Sequence, residues 1–166
     1  MPDIFKGVVT FSRGATPRIG SPYNLTQMEV CELTRVALTT HDTPVSRIVA
    51  IALRMLRRKC PDLKLVISYA AGEHGHHGGI YQAGGWIYEG PMESHGFRIK
   101  GRFTHCRSIG AKYGPGTQTL EWVRANLDPA AEKLNGLVRH KYLMPVTAEM
   151  RAQVLPLSKP YPRRAA

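Results

Sequence analysis

Apolar and polar positions along the chain change period several times, and each change marks an element. Ile4 to Phe11 reads as a first strand, with Gly7 inside it. Gly14 to Asn24 is punctuated by Gly and Pro turn signals and predicts a loop. Met28 to Leu38 alternates in part and is rich in Val, Leu and Thr, which predicts a long strand. The period then becomes helical. Val45, Ile48, Val49, Ala52, Met55 and Leu56 keep helical spacing up to Lys59, and Arg47, Arg54, Arg57 and Arg58 take much of the other face. Thr43-Pro44 supplies the start: Thr43 as N-cap, and Pro44 at the first helical position, where its missing N–H costs nothing. Cys60-Pro61-Asp62 stops the helix.

Lys64 to Ala70 predicts a short buried strand, apolar until Ser68 and Tyr69. A Gly/His segment follows, then a short helix near Gly78 to Ala83 and a strand at Trp86 to Tyr88. Phe97 to His105 reads as a hairpin turning at Lys100-Gly101. Thr117 to Asn126 predicts a helix, Gly136 to Val146 a last strand, and Thr147 the start of a short helix. There is no repeat and no linker, so residues 1–166 are expected to form one α/β (α+β) domain around a central mixed sheet flanked by helices. At 166 residues, folding buries roughly 70% of the unfolded chain's surface, enough for a core without a disulfide or metal staple. Functional groups gather at the carboxyl ends of strands in such folds, which points to Ser68, Tyr69 and the histidine loop.

Charge adds the first functional clue. Lys and Arg number 23 against 12 Asp and Glu, a net charge of +11. Between Glu93 and Glu121 there is no acid, but Arg98, Lys100, Arg102, Arg107 and Lys112 are all basic. After Val138 come Arg139, Lys141, Arg151, Lys159, Arg163 and Arg164 against Glu149 alone. Clustered bases that neutralise phosphates release counterions, so a nucleic-acid partner is expected; the alternatives are a basic surface that merely keeps the protein soluble and one that meets an anionic cofactor. The longest aliphatic run, Ile48 to Leu53, is far short of the roughly 20 residues that cross a bilayer, so no membrane role is expected. Cys31, Cys60 and Cys106 give an odd count without a Cys-x-x-Cys pair, which fits a reducing cytoplasm better than a disulfide framework or a zinc ribbon.

The densest chemistry runs from Ser68 to Tyr88: His74, His76, His77, three tyrosines, Gln82 and six glycines. Glycines let backbone approach a ligand closely, and imidazole and phenol can hold a metal or move a proton near neutral pH. His74 reads as a solvated loop residue; His76 is the stronger site candidate, although its spacing matches no standard zinc site. Glu32 and Arg35 lie on a mostly apolar strand, as an exposed pair or as site groups. His140 reads as structural and Trp122 as core. A phosphate-binding Gly-x-x-x-x-Gly-Lys-Ser/Thr loop, a Gly-x-Ser-x-Gly elbow and a His-Glu-x-x-His helix are all missing.

Ser68-Tyr69-Ala70, Gly75-His76, Gly78, Ile80-Tyr81-Gln82-Ala83 and Trp86-Ile87-Tyr88 together resemble the signature of Mom-type phage DNA-modification proteins, placed in the GNAT-like (N-acyltransferase) superfamily. Glu32-Leu33-Thr34-Arg35, His105 with Arg107-Ser108, Tyr113-Gly114, His140-Lys141-Tyr142 and Lys159-Pro-Tyr-Pro162 extend the resemblance over about residues 27 to 163. It implies conversion of adenine in double-stranded DNA to N6-carbamoylmethyladenine, which protects phage DNA from host restriction in the host cytoplasm. It also implies a GNAT-like fold with a twisted, largely antiparallel sheet whose central strands splay at the site, and an association with iron. The small-molecule donor stays open, as does monomer against homodimer. This chain departs from the pattern at Ala71-Gly72, where Asp-Pro is usual, and at Gly79 and Gly85, where Thr and Asn are usual. Thr39 to Arg47 has no glycine, so the acyl-CoA pyrophosphate loop of acetyltransferases is missing and acetyl-CoA is not the expected donor.

Taken with the resemblance, the residues divide by task. Ser68, Tyr69, His76 and Tyr81 are expected to be catalytic, with His76 or Tyr69 moving a proton or ligating metal. Glu32 joins His76 as an expected iron ligand, since iron accepts mixed histidine and carboxylate ligands. A flipped base needs aromatic surfaces and polar edges, which Tyr69, Tyr81, Tyr88 and Gln82 can offer, with Trp86 equally suited to the core. Arg98, Lys100, Arg102, Arg107, Ser108, Lys141 and Tyr142 are expected to hold DNA. Two rivals remain: an N-acyltransferase acting on a small amine or protein, and a DNA-binding protein with a degenerate site.

Overall fold

The computed structural model describes residues 6–14, 16–72 and 75–163; Ile4 and Phe5 of the first expected strand, Glu73 and His74 of the histidine loop, and Arg164 lie outside them. Among the described residues, six strands form one mixed sheet in the order β1-β2-β3-β6-β4-β5, accompanied by five α-helices. The strands are β1 (Gly7–Ser12), β2 (Val30–Leu38), β3 (Leu65–Ala71), β4 (Ile87–Ile99), β5 (Arg102–His105) and β6 (Glu132–Pro145). The helices are α1 (Val45–Lys59), α2 (Gly79–Ala83), α3 (Cys106–Tyr113), α4 (Leu120–Asn126) and α5 (Ala148–Val154). The mixed α/β class is as expected. By its contacts the chain forms two compact units, Met1–Pro91 with His140–Ala166, and Met92–Arg139.

In the first unit, β3 is buried on both faces, and its period of two divides the core. Val66 and Ala70 pack with Leu33, Val49 and Leu53 of α1, and with Tyr81, Trp86, Tyr88 and Tyr142. Leu65 and Ile67 pack on the other face with Tyr23, Val30, Leu143, Met150 and Val154. Helix α1 spans the expected residues, but its cap is one position later than expected. Pro44, at φ −53 and ψ 135, is itself the N-cap, and no side chain caps the helix. Its carbonyl accepts from the backbone of Arg47 and Ile48, while the Thr43 carbonyl accepts from His41 Nδ1 at 2.7 Å.

Lys141 requires a correction. Expected on a DNA-contacting surface, it is buried, with its Nζ 2.9 Å from Glu89 Oε2 and 5.0 Å from the centre of the Tyr23 ring. Tyr23 donates its hydroxyl to the same Glu89 oxygen at 2.6 Å, and burial first, then Glu89, drives its pKa upward. A lysine buried this way needs its carboxylate partner, because desolvating either charge alone would cost several kcal/mol.

The second unit is built on Phe97, Cys106, Ile109, Val123 and Ala131. Its hairpin turns where expected, with Lys100 at φ 48 and Gly101 at φ 75, the two positive φ values of a type I′ turn. Asp128 accepts from the backbone of Lys100 at 2.7 Å and of Ala130 at 3.0 Å, bonds that hold its carboxyl below the usual range and anchor the turn. Two elements differ from expectation. β4 runs unbroken from Ile87 through Gly90-Pro91 to Ile99, where a strand at Trp86 to Tyr88 and a separate hairpin strand from Phe97 were expected. Residues 106–113 form helix α3. His105 caps α3: its Nδ1 accepts from Arg107 N–H at 3.0 Å, which fixes the proton on Nε2, 2.9 Å from Ser94 Oγ.

Candidate functional site

Strands β2 and β3 run parallel and pair over only three positions, Val30↔Leu65, Cys31↔Val66 and Glu32↔Ile67. Beyond Glu32 and Ile67 they separate, and a cavity of about 700 Å³ opens between them. Thr34, Arg35, Val36 and Leu38 of β2 form one wall, Tyr69, Ala70 and Ala71 of β3 the other. His41 and Val45, the first residue of α1, lie at one end, and residues 75–81 with His76, His77 and Tyr81 complete the lining. This volume is within the range of small-molecule sites. Among the described lining residues there are one arginine and three histidines and no carboxylate, and α1 directs the positive end of its dipole at the space. The site therefore favours an anion.

At the point of separation, Ser68 is fully buried and its Oγ lies 2.8 Å from both the Leu33 carbonyl oxygen and the Tyr81 hydroxyl. Ser68 is the donor in both bonds, its single proton shared between the Leu33 carbonyl and the Tyr81 hydroxyl. The Tyr81 ring packs 5.1 Å from Trp86 and 5.0 Å from Tyr142, so these rings form a wall rather than a free stacking platform. Trp86 is core, 1% exposed. Tyr69 borders the cavity from the other face of β3, packed against the second cluster.

The turn into α2 depends on Gly78. Its φ is +84, and a Cβ there would lie 2.3 Å from Tyr142 Cε2. Tyr142 is fully buried and donates its hydroxyl to the His77 carbonyl. Gln82 Nε2 reaches that same carbonyl at 3.0 Å, the Tyr142 hydroxyl at 3.2 Å and the Pro162 carbonyl at 3.2 Å. Both Gln82 and Tyr142 thus hold the histidine segment in place, and their donors are committed internally. The C-terminal stretch is fastened beside them: Tyr161 donates to the Trp86 carbonyl at 2.6 Å, and Lys159 N–H to the Tyr88 carbonyl at 2.8 Å.

His140 and His77 were not singled out from sequence as site groups. Tyr88 is buried and its hydroxyl is 2.8 Å from His140 Nδ1, with the two rings 5.7 Å apart. Burial raises the Tyr88 pKa; burial first, then His77, lowers that of His140. Both directions keep the pair neutral, with the phenol donating to Nδ1. The signal in sequence was His140 beside Lys141 and Tyr142, at the point where a polar strand turns apolar at Leu143.

The expected iron ligands are not brought together. Glu32 is buried, but it is not among the residues lining the cavity that His76 lines. Among the described residues, no three His, Cys, Asp or Glu side chains converge on a metal position. The described donors thus do not fit the mixed histidine–carboxylate set.

In the second unit the expected DNA-holding bases do not share one face. Directly opposed residues of an antiparallel pair lie on the same face, and Arg98 opposes Phe103 whereas Arg102 opposes Ile99. Arg98 and Arg102 therefore diverge, and Arg98 is also paired with Glu132 at 3.0 Å. Lys100, Arg107 and Ser108 are exposed.

No curated protein matches this sequence. A family profile described as the Mom protein family matches residues 2–163, almost from end to end, with the Ser68–Tyr81 pair and the histidine segment inside the match. The chain belongs to the Mom protein family.

Proposed function

We propose that this protein is a DNA adenine modification enzyme that converts adenine to N6-carbamoylmethyladenine in double-stranded DNA. Membership of the Mom family implies a phage-type DNA-modifying enzyme, and the match over residues 2–163 is the observation that carries the reading. The net charge of +11 supports DNA as substrate. The separation of β2 and β3 supports a GNAT-like arrangement of the site. Arg35 and three histidines, with no carboxylate among the described lining residues, suit an anionic small-molecule donor. Among the described residues no helix is long and apolar enough to cross a membrane, in keeping with a phage or prophage product acting in the host cytoplasm.

Adenine N6 is a poor nucleophile because its lone pair is delocalised into the ring. The enzyme must take the base out of the duplex, hold an activated donor against N6, and accept the N6 proton as the N–C bond forms and the donor's leaving group departs. The cavity can hold base and donor side by side. His76, exposed on its rim, is the proposed proton acceptor. Tyr81, oriented by Ser68, presents a polar group at the cavity's inner end, and Arg35 with His41 offers charge to the donor. The replacements at Ala71, Gly72, Gly79 and Gly85 favour one second reading, a DNA-binding protein that has lost the chemistry.

Mass spectrometry of nucleosides from plasmid DNA of expressing cells tests this. The expected result is a deoxyadenosine species with a carbamoylmethyl mass increment, lost in His76→Ala while the variant melts like the wild type. Unmodified DNA from cells containing soluble, DNA-binding protein would favour the second reading. For the hairpin, Arg98→Ala/Lys100→Ala/Arg102→Ala is expected to flatten the dependence of DNA affinity on salt by about one to two units of slope, since the bases lie on two faces. An unchanged slope would remove this hairpin from the DNA surface.

A further inference from the structure

The outward face of α1 presents arginines in a single file. Arg47, Arg54 and Arg58 are exposed and, at about 100° per residue, fall within about 40° of one another around the helix. They project opposite Val49 and Leu53, the residues that α1 buries. Arg57 and Lys59 flank the file, and no acid occurs between Asp42 and Asp62. Among the described residues none of these arginine side chains has a hydrogen bond or an ion pair. Exposed basic faces are usually laced with acids. This one is not.

We infer that α1 is the surface on which duplex DNA docks, its arginine file lying against one phosphate backbone; this rests on the proposed activity on DNA. The spacing of seven and four residues sets the guanidinium groups about 10 and 6 Å apart along the helix. Spacings of that order let the three guanidinium groups reach neighbouring phosphates of one backbone. Ile51 and Met55, 44% and 57% exposed, lie beside the file where they can meet sugar edges. The helix then leads into the site, because Val45 and His41 at its N-terminal end line the cavity. A base flipped from DNA held along α1 has a short path inward. A lipid surface fits less well: an interfacial helix inserts its apolar face, and the apolar face of α1 is already in the core.

The test is titration of a short labelled duplex with the full chain across a range of KCl, alongside plasmid modification and binding to vesicles of phosphatidylcholine with phosphatidylglycerol. Arg47→Gln/Arg54→Gln/Arg58→Gln is expected to reduce the salt slope by about three and affinity by about ten-fold or more, while Arg47→Lys/Arg54→Lys/Arg58→Lys keeps the slope. If the triple glutamine variant fails to fold, Arg54→Gln and Arg58→Gln singly should each lower the slope by about one. A glutamine variant that binds and modifies DNA like the wild type overturns the role of α1 and leaves the proposed activity standing. A wild type without salt-dependent duplex binding and without modification overturns the DNA reading itself, and this inference with it. Loss of vesicle binding in the variant with unchanged DNA affinity also overturns it, assigning the face to a membrane.

Discussion

Gly78→Ala is expected to lower the melting temperature by roughly 10 °C and to abolish modification. Two costs add. An alanine at φ +84 carries about 1–2 kcal/mol of backbone strain. Its Cβ would also lie 2.3 to 2.5 Å from three atoms of the Tyr142 ring, far inside contact distance. Tyr142 cannot yield cheaply: it is fully buried, packs 5.0 Å from Tyr81 and 5.1 Å from Tyr88, and is hydrogen-bonded to the His77 carbonyl. Overpacking of this kind costs about 1–3 kcal/mol. Gly85→Ala is the control, because Gly85 has φ +69 but nothing within 4 Å of its Cβ position. It should cost about 1 kcal/mol, or about 3 °C. Thermal melts of the two variants separate strain from collision; equal melting temperatures would mean that Tyr142 is not held as described.

Tyr81→Phe is expected to reduce adenine modification by about a hundred-fold while lowering stability by only about 1 kcal/mol. The phenylalanine keeps the ring contacts with Trp86 and Tyr142, and Ser68 keeps its bond to the Leu33 carbonyl. What is lost is one hydroxyl at the inner end of the cavity. Ser68→Ala should match that loss of activity and be less stable by about 1–3 kcal/mol, because it leaves a buried carbonyl and a phenol without their shared partner. Modification assays paired with melts give the comparison. A folded Tyr81→Phe protein that still modifies DNA at the wild-type level would reduce this pair to a structural clasp.

The extent of α1 was legible because fifteen residues keep one period between a proline and a Cys-Pro stop. The hairpin turn was legible too, since Lys100-Gly101 is a local signal. The length of β4 was not: only Trp86 to Tyr88 reads as a strand ahead of the hairpin, yet Pro91 forfeits only one ladder hydrogen bond and is tolerated in an irregular strand. Helix α3 was hidden because Gly110 interrupts a short apolar pattern, and its cap is a histidine. At the site, Ser68 and Tyr81 were both singled out from the sequence, but their shared hydrogen bond was not legible there. The burial of Lys141 depends on Glu89, far away in sequence, and local patterning carries no trace of such a pairing.

Among the described residues strand β6 follows every other strand in chain order, yet it lies in the interior of the sheet, between β3 and β4. Until β6 has paired, β3 lacks its second neighbour, and the apolar run Leu65-Val66-Ile67 borders an unpaired strand edge. Such an edge invites pairing with other chains. The sheet is therefore completed only by its last strand in chain order, and the β3 edge stays open to misassociation until β6 docks.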